Sequence, residues 1–344
     1  MRKLHTMAAA AGTAGALLAT APAKADPVAD FYKGKTVSIY VGVSPGGIYS
    51  TFAQFLSKHM QKHFPGNPEI IVKHMPGAGG QKVMNYVYNV APKDGTAILT
   101  PNSNPVKSYI FGVGKPRYEP LKFQWIGAWS YSTVALTLLK KNAPGVNSIA
   151  DATKTQVILG SIGKTTTSYQ VPFMLNNLVG TKFKIIPGYR GGSPIRLAME
   201  KGEVAGWSGQ WTGMKLRKPE WVKDNMLATL VQVAPKKNKD LKNVPLLTEL
   251  AKDDDQKAMF DVLSSTIMDR AVALPPGVPK DRVDALEKAF MATLKDKDFL
   301  ADVEKRGFEI DPTSAADVTA TVKKIMGLSK ERLVKLKTAM GFAK

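Results

Sequence analysis

Two spacings of apolar positions alternate along most of the chain. Thr36-Val-Ser-Ile-Tyr-Val-Gly-Val43 is a continuous run rich in β-branched residues, which predicts a buried strand. It leads into Ser44-Pro45-Gly46-Gly47 and then into a helical spacing at Phe52, Phe55, Leu56, His59 and Met60. A strand feeding a glycine turn that opens a helix leaves backbone N–H groups free where the helix dipole favours an anion. The arrangement repeats as strand Glu69–Lys73, turn Met75-Pro-Gly-Ala-Gly79-Gly80 and a helix through Val83, Tyr86 and Val87. A third strand, Thr96–Thr100, ends in the polar turn Pro101-Asn102-Ser103-Asn104-Pro105. Trp125–Trp129 and Val134–Leu139 read as strands on either side of a change of register, where a crossover to a second domain fits.

The rhythm restarts after a capped helix at Ser148. Strand Gln156–Gly160 is followed by a hydroxyl-rich turn, Ser161–Ser168, and a helix from Tyr169 to Val179. Strand Lys182–Ile186 precedes Pro187-Gly-Tyr189-Arg190-Gly-Gly192, a helix from Pro194 to Lys201 and a turn spanning Gly202–Gly213. From Leu274-Pro-Pro-Gly-Val-Pro279 the pattern is helical. Alternation of this kind predicts an α/β protein with mostly parallel sheets flanked by helices and ligand-facing turns at the strand ends. A helical tail packed on the first sheet would give a discontinuous first lobe, 26–127 plus 268–344, and a second lobe, 128–267.

Length and composition agree with two domains, since 344 residues exceed what one small core needs. Met1-Arg2-Lys3, the alanine-rich run Met7–Ala21 and Ala23-Lys24-Ala25 together predict an export signal cleaved after Ala25, hence a periplasmic protein. The chain has no cysteine, which rules out a disulfide framework or a lipid tether through cysteine. Its formal charge is +20, or +17 once Arg2, Lys3 and Lys24 are shed with the signal. No patch interleaves aromatic and basic residues as base readers do, so nucleic acid is not expected. Attraction of small anions and a merely well-solvated basic surface fit the charge equally.

Several catalytic motifs are approached and fail on spacing. Gly163-Lys164-Thr165 would end a phosphate-binding loop, but the required earlier glycine is Ile158. Gly206-Trp207-Ser208-Gly209-Gln210 resembles a nucleophile elbow whose closing glycine is Gln210. His59 and His63 have helical metal-ligand spacing but no acidic or cysteine partner nearby; a plain exposed helix face is the expected reading.

Read in order, Lys35–Val41 with Ser44-Pro-Gly-Gly47, Met75–Gly80, Ala91-Pro-Lys-Asp-Gly95, Gly188–Gly192, Lys201–Ala205, Asn243–Leu246 and Ala273–Pro279 resemble the periplasmic receptors of tripartite tricarboxylate transporters, the Bug family. The resemblance spans essentially the whole chain after the leader. It implies a two-lobed, type II-like Venus-flytrap binding protein, monomeric and without metal or cofactor, that delivers a small organic acid to membrane permease subunits. It places ligand contacts at Ser44, Gly46, Gly47, Ile48, Tyr49 and Ser50, at Gly79, at Asn102 and Ser103, and at Ser161, Thr165 and Thr166. Family members commonly carry Gly-Thr-Asp where this chain has Ile48-Tyr49-Ser50, and a glycine-serine turn where it has Lys164-Thr165-Thr166-Thr167.

Losing an aspartate and gaining Lys164 makes such a cleft more attractive to anions. Tyr49, Tyr189, Trp207 and Trp211 are available to flank a flat ligand body, with core packing the alternative for the two tryptophans. Arg190 and Arg270 are the candidate carboxylate partners, with a salt bridge to Asp269 the alternative for Arg270. A receptor is thus expected. An exported hydrolase or transferase using Ser208 or the Thr165 region, and a sensory adaptor, stay open beside it.

Overall fold

The computed structural model describes residues 26–46, 48–101, 104–164 and 166–342. The expected leader 1–25 and the turn residues Gly47, Asn102, Ser103 and Thr165 lie outside the described residues.

Among the described residues, ten strands form two five-stranded sheets. The first holds β1 (Thr36–Val41), β2 (Glu69–His74), β3 (Ala97–Thr100), β4 (Gln124–Ala128) and β10 (Ala271–Leu274) in the order β2-β1-β3-β10-β4. The second holds β5 (Val134–Leu139), β6 (Val157–Gly160), β7 (Phe183–Ile186), β8 (Gly206–Gln210) and β9 (Leu227–Val233) in the order β7-β6-β8-β5-β9. Ile39 on β1 pairs in parallel with Val72 on one side and Ile98 on the other. In the first sheet β10 is antiparallel to both neighbours, and in the second β5 is. Each sheet is therefore mixed, with four strands running one way and the strand that enters from the other lobe reversed. This is the two-lobed α/β arrangement expected, with a single reversed strand in each sheet.

The chain passes between the sheets at 129–133 and again at 265–270. Both passages are short and sit side by side, because β4, which leads out, pairs directly with β10, which leads back.

Three elements differ from expectation. The stretch expected to be part of a turn at Gly202–Gly213 contains β8 and the start of the helix Trp211–Arg217. Two of its glycines are there for packing: a Cβ on Gly206 would collide with the backbone of β5 and one on Gly209 with the Trp207 ring, which also fills the space beside Gly192. Leu227–Val233, which carried no assignment, is the edge strand β9. The helix Lys330–Ala339 leaves the first sheet, on which the preceding helix Ala315–Met326 rests, and packs on the helices Asp254–Ser264 and Thr167–Val179 beside the second. Asn177 Nδ2 donates to the Ala339 carbonyl at 3.0 Å, and Arg332 and Lys335 each reach Asp255 at 2.8 Å. Leu336, Ala339 and Met340 supply the apolar side of that contact.

One apolar cluster runs from the first sheet (Tyr40, Leu99, Ala128, Ala273) into the second (Val134, Leu136, Val157, Val231), so the lobes share a core at their junction. A second cluster, with Phe52, Leu56, Phe290 and Phe299, seats the helices Ile48–Met60, Lys280–Thr293 and Lys297–Lys305 on the outer face of the first sheet. His59 and His63 belong to this layer, and His59 is buried there rather than on the exposed face expected. The acidic partners they lack in sequence arrive from the helix Lys297–Lys305 and the residue capping it: His59 Nε2 lies 2.8 Å from Asp302, and His63 Nε2 lies 3.0 Å from Asp296. Lys58 and Lys62 join the same two carboxylates. Among the described residues no group of three or more metal-capable side chains assembles.

These pairs predict an acid-sensitive seam. Hydrogen bonds from Lys58 and His59 hold the Asp302 carboxyl down at about 2, against an ordinary value of 3.8. A depressed folded value means that the stabilisation is full above the ordinary value and is lost as pH falls towards the folded one. In thermal melts, Asp302→Asn should therefore be less stable than the parent at neutral pH, with the gap closing between about pH 4 and pH 2. A gap independent of pH would show that the charge of Asp302 contributes nothing.

Candidate functional site

The carboxyl ends of β1 and β3 and those of β6, β7 and β8 open towards one cleft, floored by the two passages between the sheets. Gly46, Ile48 and Thr51 on one side, Gln210, Gly213 and Arg217 on the other, and Ser130, Ser132 and Arg270 below enclose a cavity of about 470 Å³. It continues into the second lobe as a cavity of about 390 Å³ sharing Gln210, Gly213 and Arg217. On the other side of Tyr49 lies a chamber of about 280 Å³ lined by Asn104, Lys107, Thr166, Gln170 and Asp269.

Arg270 is the centre of this arrangement. Its guanidinium carbon stands 4.6 Å from the Tyr49 ring centroid and 4.8 Å from that of Trp129, and Trp129 in turn stacks on Phe52 at 4.1 Å. Tyr49 and Phe52 come from adjacent turns of the helix that follows β1, Trp129 from the outward passage and Arg270 from the returning one. The side chain is only 4% exposed, yet its Nη1 has no hydrogen-bond partner among the described residues. Asp269 forms no ion pair with it; that carboxyl is pushed up by burial, against the pull of Lys107 and Arg270. Burial also pushes the Tyr49 hydroxyl up, against the pull of Arg270. A guanidinium out of water with an unmet donor is costly unless an anion completes it. Ser132 Oγ, Ser264 Oγ and Thr266 Oγ1, on the same two passages or next to them, are likewise buried without partners.

The expected contact residues separate into groups. Gly46 lines the main cavity at φ +99°, a backbone state that favours glycine, and Ile48 lies beside it. Tyr49 lines the chamber and Thr166 both the chamber and the second-lobe cavity. Trp207 lines the second-lobe cavity while its ring packs in the core beneath. Ser44 and Gly79 are exposed and line none of the three cavities, and Ser50 is fully buried with its hydroxyl 2.8 Å from His74 Nε2. Ser161 shapes its own turn, with its hydroxyl 3.1 Å from Ser168 Oγ and accepting from the Gly163 N–H. Lys164 and Arg190 point to solvent, and Tyr189 packs on the core cluster around Ile195. Trp211 takes the core alternative, its Nε1 donating to Asp240 at 3.1 Å.

Several lining residues were not anticipated: Trp129 to Thr133, Lys107, Arg196, Gln210 and Arg217. The passage residues follow a strand rather than a glycine turn, so no turn signal marks them. Arg196 follows Gly192 by one helical turn, which was the only available hint. It is 8% exposed, its Nη2 donates to Ser193 Oγ at 2.9 Å, and burial together with the adjacent Arg217 charge lowers its proton affinity.

No family model and no curated protein matches the chain. Solved structures do. A TctC solute-binding protein from Polaromonas, without ligand, superposes with a TM-score of 0.71 at 17% identity, over 91% of this chain and 100% of that one. The periplasmic binding protein BugD gives 0.58 at 20% identity, over 91% and 100%. MatC from Rhodopseudomonas palustris, with bound malate, gives 0.56 at 18% identity, over 89% and 99%. The chain thus has the fold of periplasmic solute-binding proteins.

Gly192 tests the local packing. A methyl group there would lie 2.6 Å from the Trp207 ring and 3.0 Å from Arg196 Nη1. Gly192→Ala should cost about 1–3 kcal/mol, as overpacking does, and should shift tryptophan emission. An unchanged melting temperature would show that the indole is free to move aside.

Proposed function

We propose that the chain is an exported solute receptor that captures a small organic carboxylate between its lobes and hands it to a membrane permease. The observation that carries this reading is Arg270: a buried guanidinium with an unmet donor, held between two rings at the junction of the passages and open to a cavity of small-molecule size. The free amides expected at the Gly46 turn would face the same ligand from the first lobe. A planar guanidinium between rings can turn only in its own plane, which suits a planar carboxylate. The solved proteins of the same fold include one with malate bound, which supports the ligand class. The exported hydrolase reading finds no base beside Ser208: His59, His63 and His74 are engaged by Asp302, Asp296 and Ser50.

Calorimetry against small carboxylic acids and their methyl esters tests this reading. The acid should bind and the ester should be weaker, since a charge-assisted bond contributes roughly 1.5–3 kcal/mol, or about 10- to 100-fold in affinity. Arg270→Met should lose that preference while keeping the fold. Equal affinity for acid and ester would end the proposal.

Capture by both lobes also predicts motion. Contacts from Gly46–Tyr49 and from Thr166–Thr167 are made together only when the lobes approach, so ligand favours the closed form. Small-angle scattering should show a smaller radius of gyration with a binding acid than without. A saturating acid that leaves scattering unchanged would indicate a rigid cleft.

A further inference from the structure

Beside the main cavity lies a groove of about 480 Å³ that capture of a solute does not use. One wall is the loop after β9, with Lys236, Lys237, Lys239 and Lys242; the other is the segment 309–311 of the first lobe, and the outward passage is the floor. None of the four lysines lines the main cavity. A run of lysines is ordinarily a solvated face, but this one is fixed in place. Gln232, fully buried on β9, donates from Nε2 to the Leu241 and Val244 carbonyls at 2.8 and 2.7 Å, and its Oε1 accepts from the Asn238 N–H at 2.8 Å. Asn238 in turn donates to Thr133 Oγ1 at 3.1 Å, which ties the loop to the passage. A buried amide thus holds four like charges together at the junction of the lobes, against their mutual repulsion.

The groove already accepts a carboxylate from across the lobe boundary. Lys236 Nζ lies 2.8 Å from Asp311 of the first lobe, and the two side chains are 61% and 42% exposed, so their pair contributes little and is readily exchanged. Asp240, the acidic residue within the run, is taken by Trp211 Nε1 and Lys215. Lys239 and Lys242 are exposed and form no ion pair among the described residues. Lys236 and Lys237 turn to different acceptors, Asp311 and Glu249. Ammonium groups that diverge in this way do not close on one compact anion; they suit carboxylates spread along an extended chain. Their place inside a concave groove, rather than on a protruding face, is likewise a poor match to a flat lipid surface.

We propose that this groove is a docking surface for an acidic polypeptide segment of a partner protein, whose carboxylates take Lys236, Lys239 and Lys242 and displace Asp311. The partner is then met outside the solute cavity, on a surface whose two walls belong to different lobes. Docking exchanges a tie between the lobes for a tie to the partner. The inference rests on the receptor reading for there being a partner to meet, but its test contains no solute, so each can fail without the other.

The probe is a synthetic peptide of alternating Glu and Ser, with its Gln counterpart as control, titrated by calorimetry and joined to the protein by zero-length carbodiimide coupling. The Glu peptide should bind and the Gln peptide should not, and coupling should mark Lys236, Lys239 and Lys242. Lys239→Gln combined with Lys242→Gln should weaken binding about 2- to 30-fold, the range of two exposed ion pairs. Asp311→Asn should tighten it about 1.4- to 5-fold, because the competitor within the chain is gone. Lys323→Gln combined with Lys330→Gln, an equal change of charge at exposed positions of the last two helices, should leave it unchanged. Equal loss in both double variants, or coupling scattered over lysines outside the groove, would reduce the binding to attraction by net charge and overturn the proposal. Retention on phosphatidylglycerol vesicles that depends on Lys239 and Lys242, without binding of the Glu peptide, would overturn it in favour of a membrane surface. Inorganic phosphate binding there in place of the peptide would overturn it in favour of a compact anion.

Discussion

Keeping the Arg270 charge out of water is the constraint around which the junction of the two lobes is organised. A guanidinium cannot shed its proton, so it is solvated by something or it destabilises the fold. Here the two rings above and below it provide part of that solvation, and each comes from a different segment: the first turn of the helix after β1 and the passage after β4. The arginine itself sits on the returning passage. A single buried charge thus couples the helix after the glycine turn of one lobe to both connections with the other.

The strands with dense β-branched sequence, β1, β2, β3, β5, β6 and β7, were legible because a buried strand needs little else. β8 was not. Gly-Trp-Ser-Gly-Gln has the look of a loop, but the close approach of β5 at Gly206 and of the Trp207 ring at Gly209 explains why glycines sit in this strand. The candidate site was partly legible for the same reason. Gly46, Tyr49 and Thr166 follow strands directly, and Arg270 stood out as an arginine next to a passage. Arg196 sits on a short helix where an arginine ordinarily marks a solvated face, and only the three-dimensional order of β6, β7 and β8 buries it, whereas Arg217 stays exposed at the cavity rim. The histidine pair shows the opposite limit, since its carboxylates arrive from more than two hundred residues away.

The basic surface has an uneven structural role. Beside the cleft, Lys215 pairs with Glu309 at 3.2 Å and Lys236 with Asp311 at 2.8 Å, linking the second lobe to the segment that runs beside β4 through the Ala128–Thr313 bridge. These side chains are partly exposed, and pairs of that kind contribute little individually. Weak pairs at a lobe junction hold an arrangement without fixing it, which is compatible with the closure proposed above.

The position of β10 has a consequence for biogenesis. It lies between β3 and β4, in the interior of the first sheet, yet it is made only after all of the second sheet. Until residue 271 is available, β3 and β4 each present an unpaired edge, and the first lobe exists as two pieces that cannot join. The second lobe is continuous between residues 134 and 233 and has no such wait, apart from the late helix that covers it. Assembly should therefore begin in the middle of the chain and finish at its two ends, with long-range closure as the slow step. Such an order keeps the chain unfinished for as long as its carboxyl end is withheld, which would suit the export proposed above.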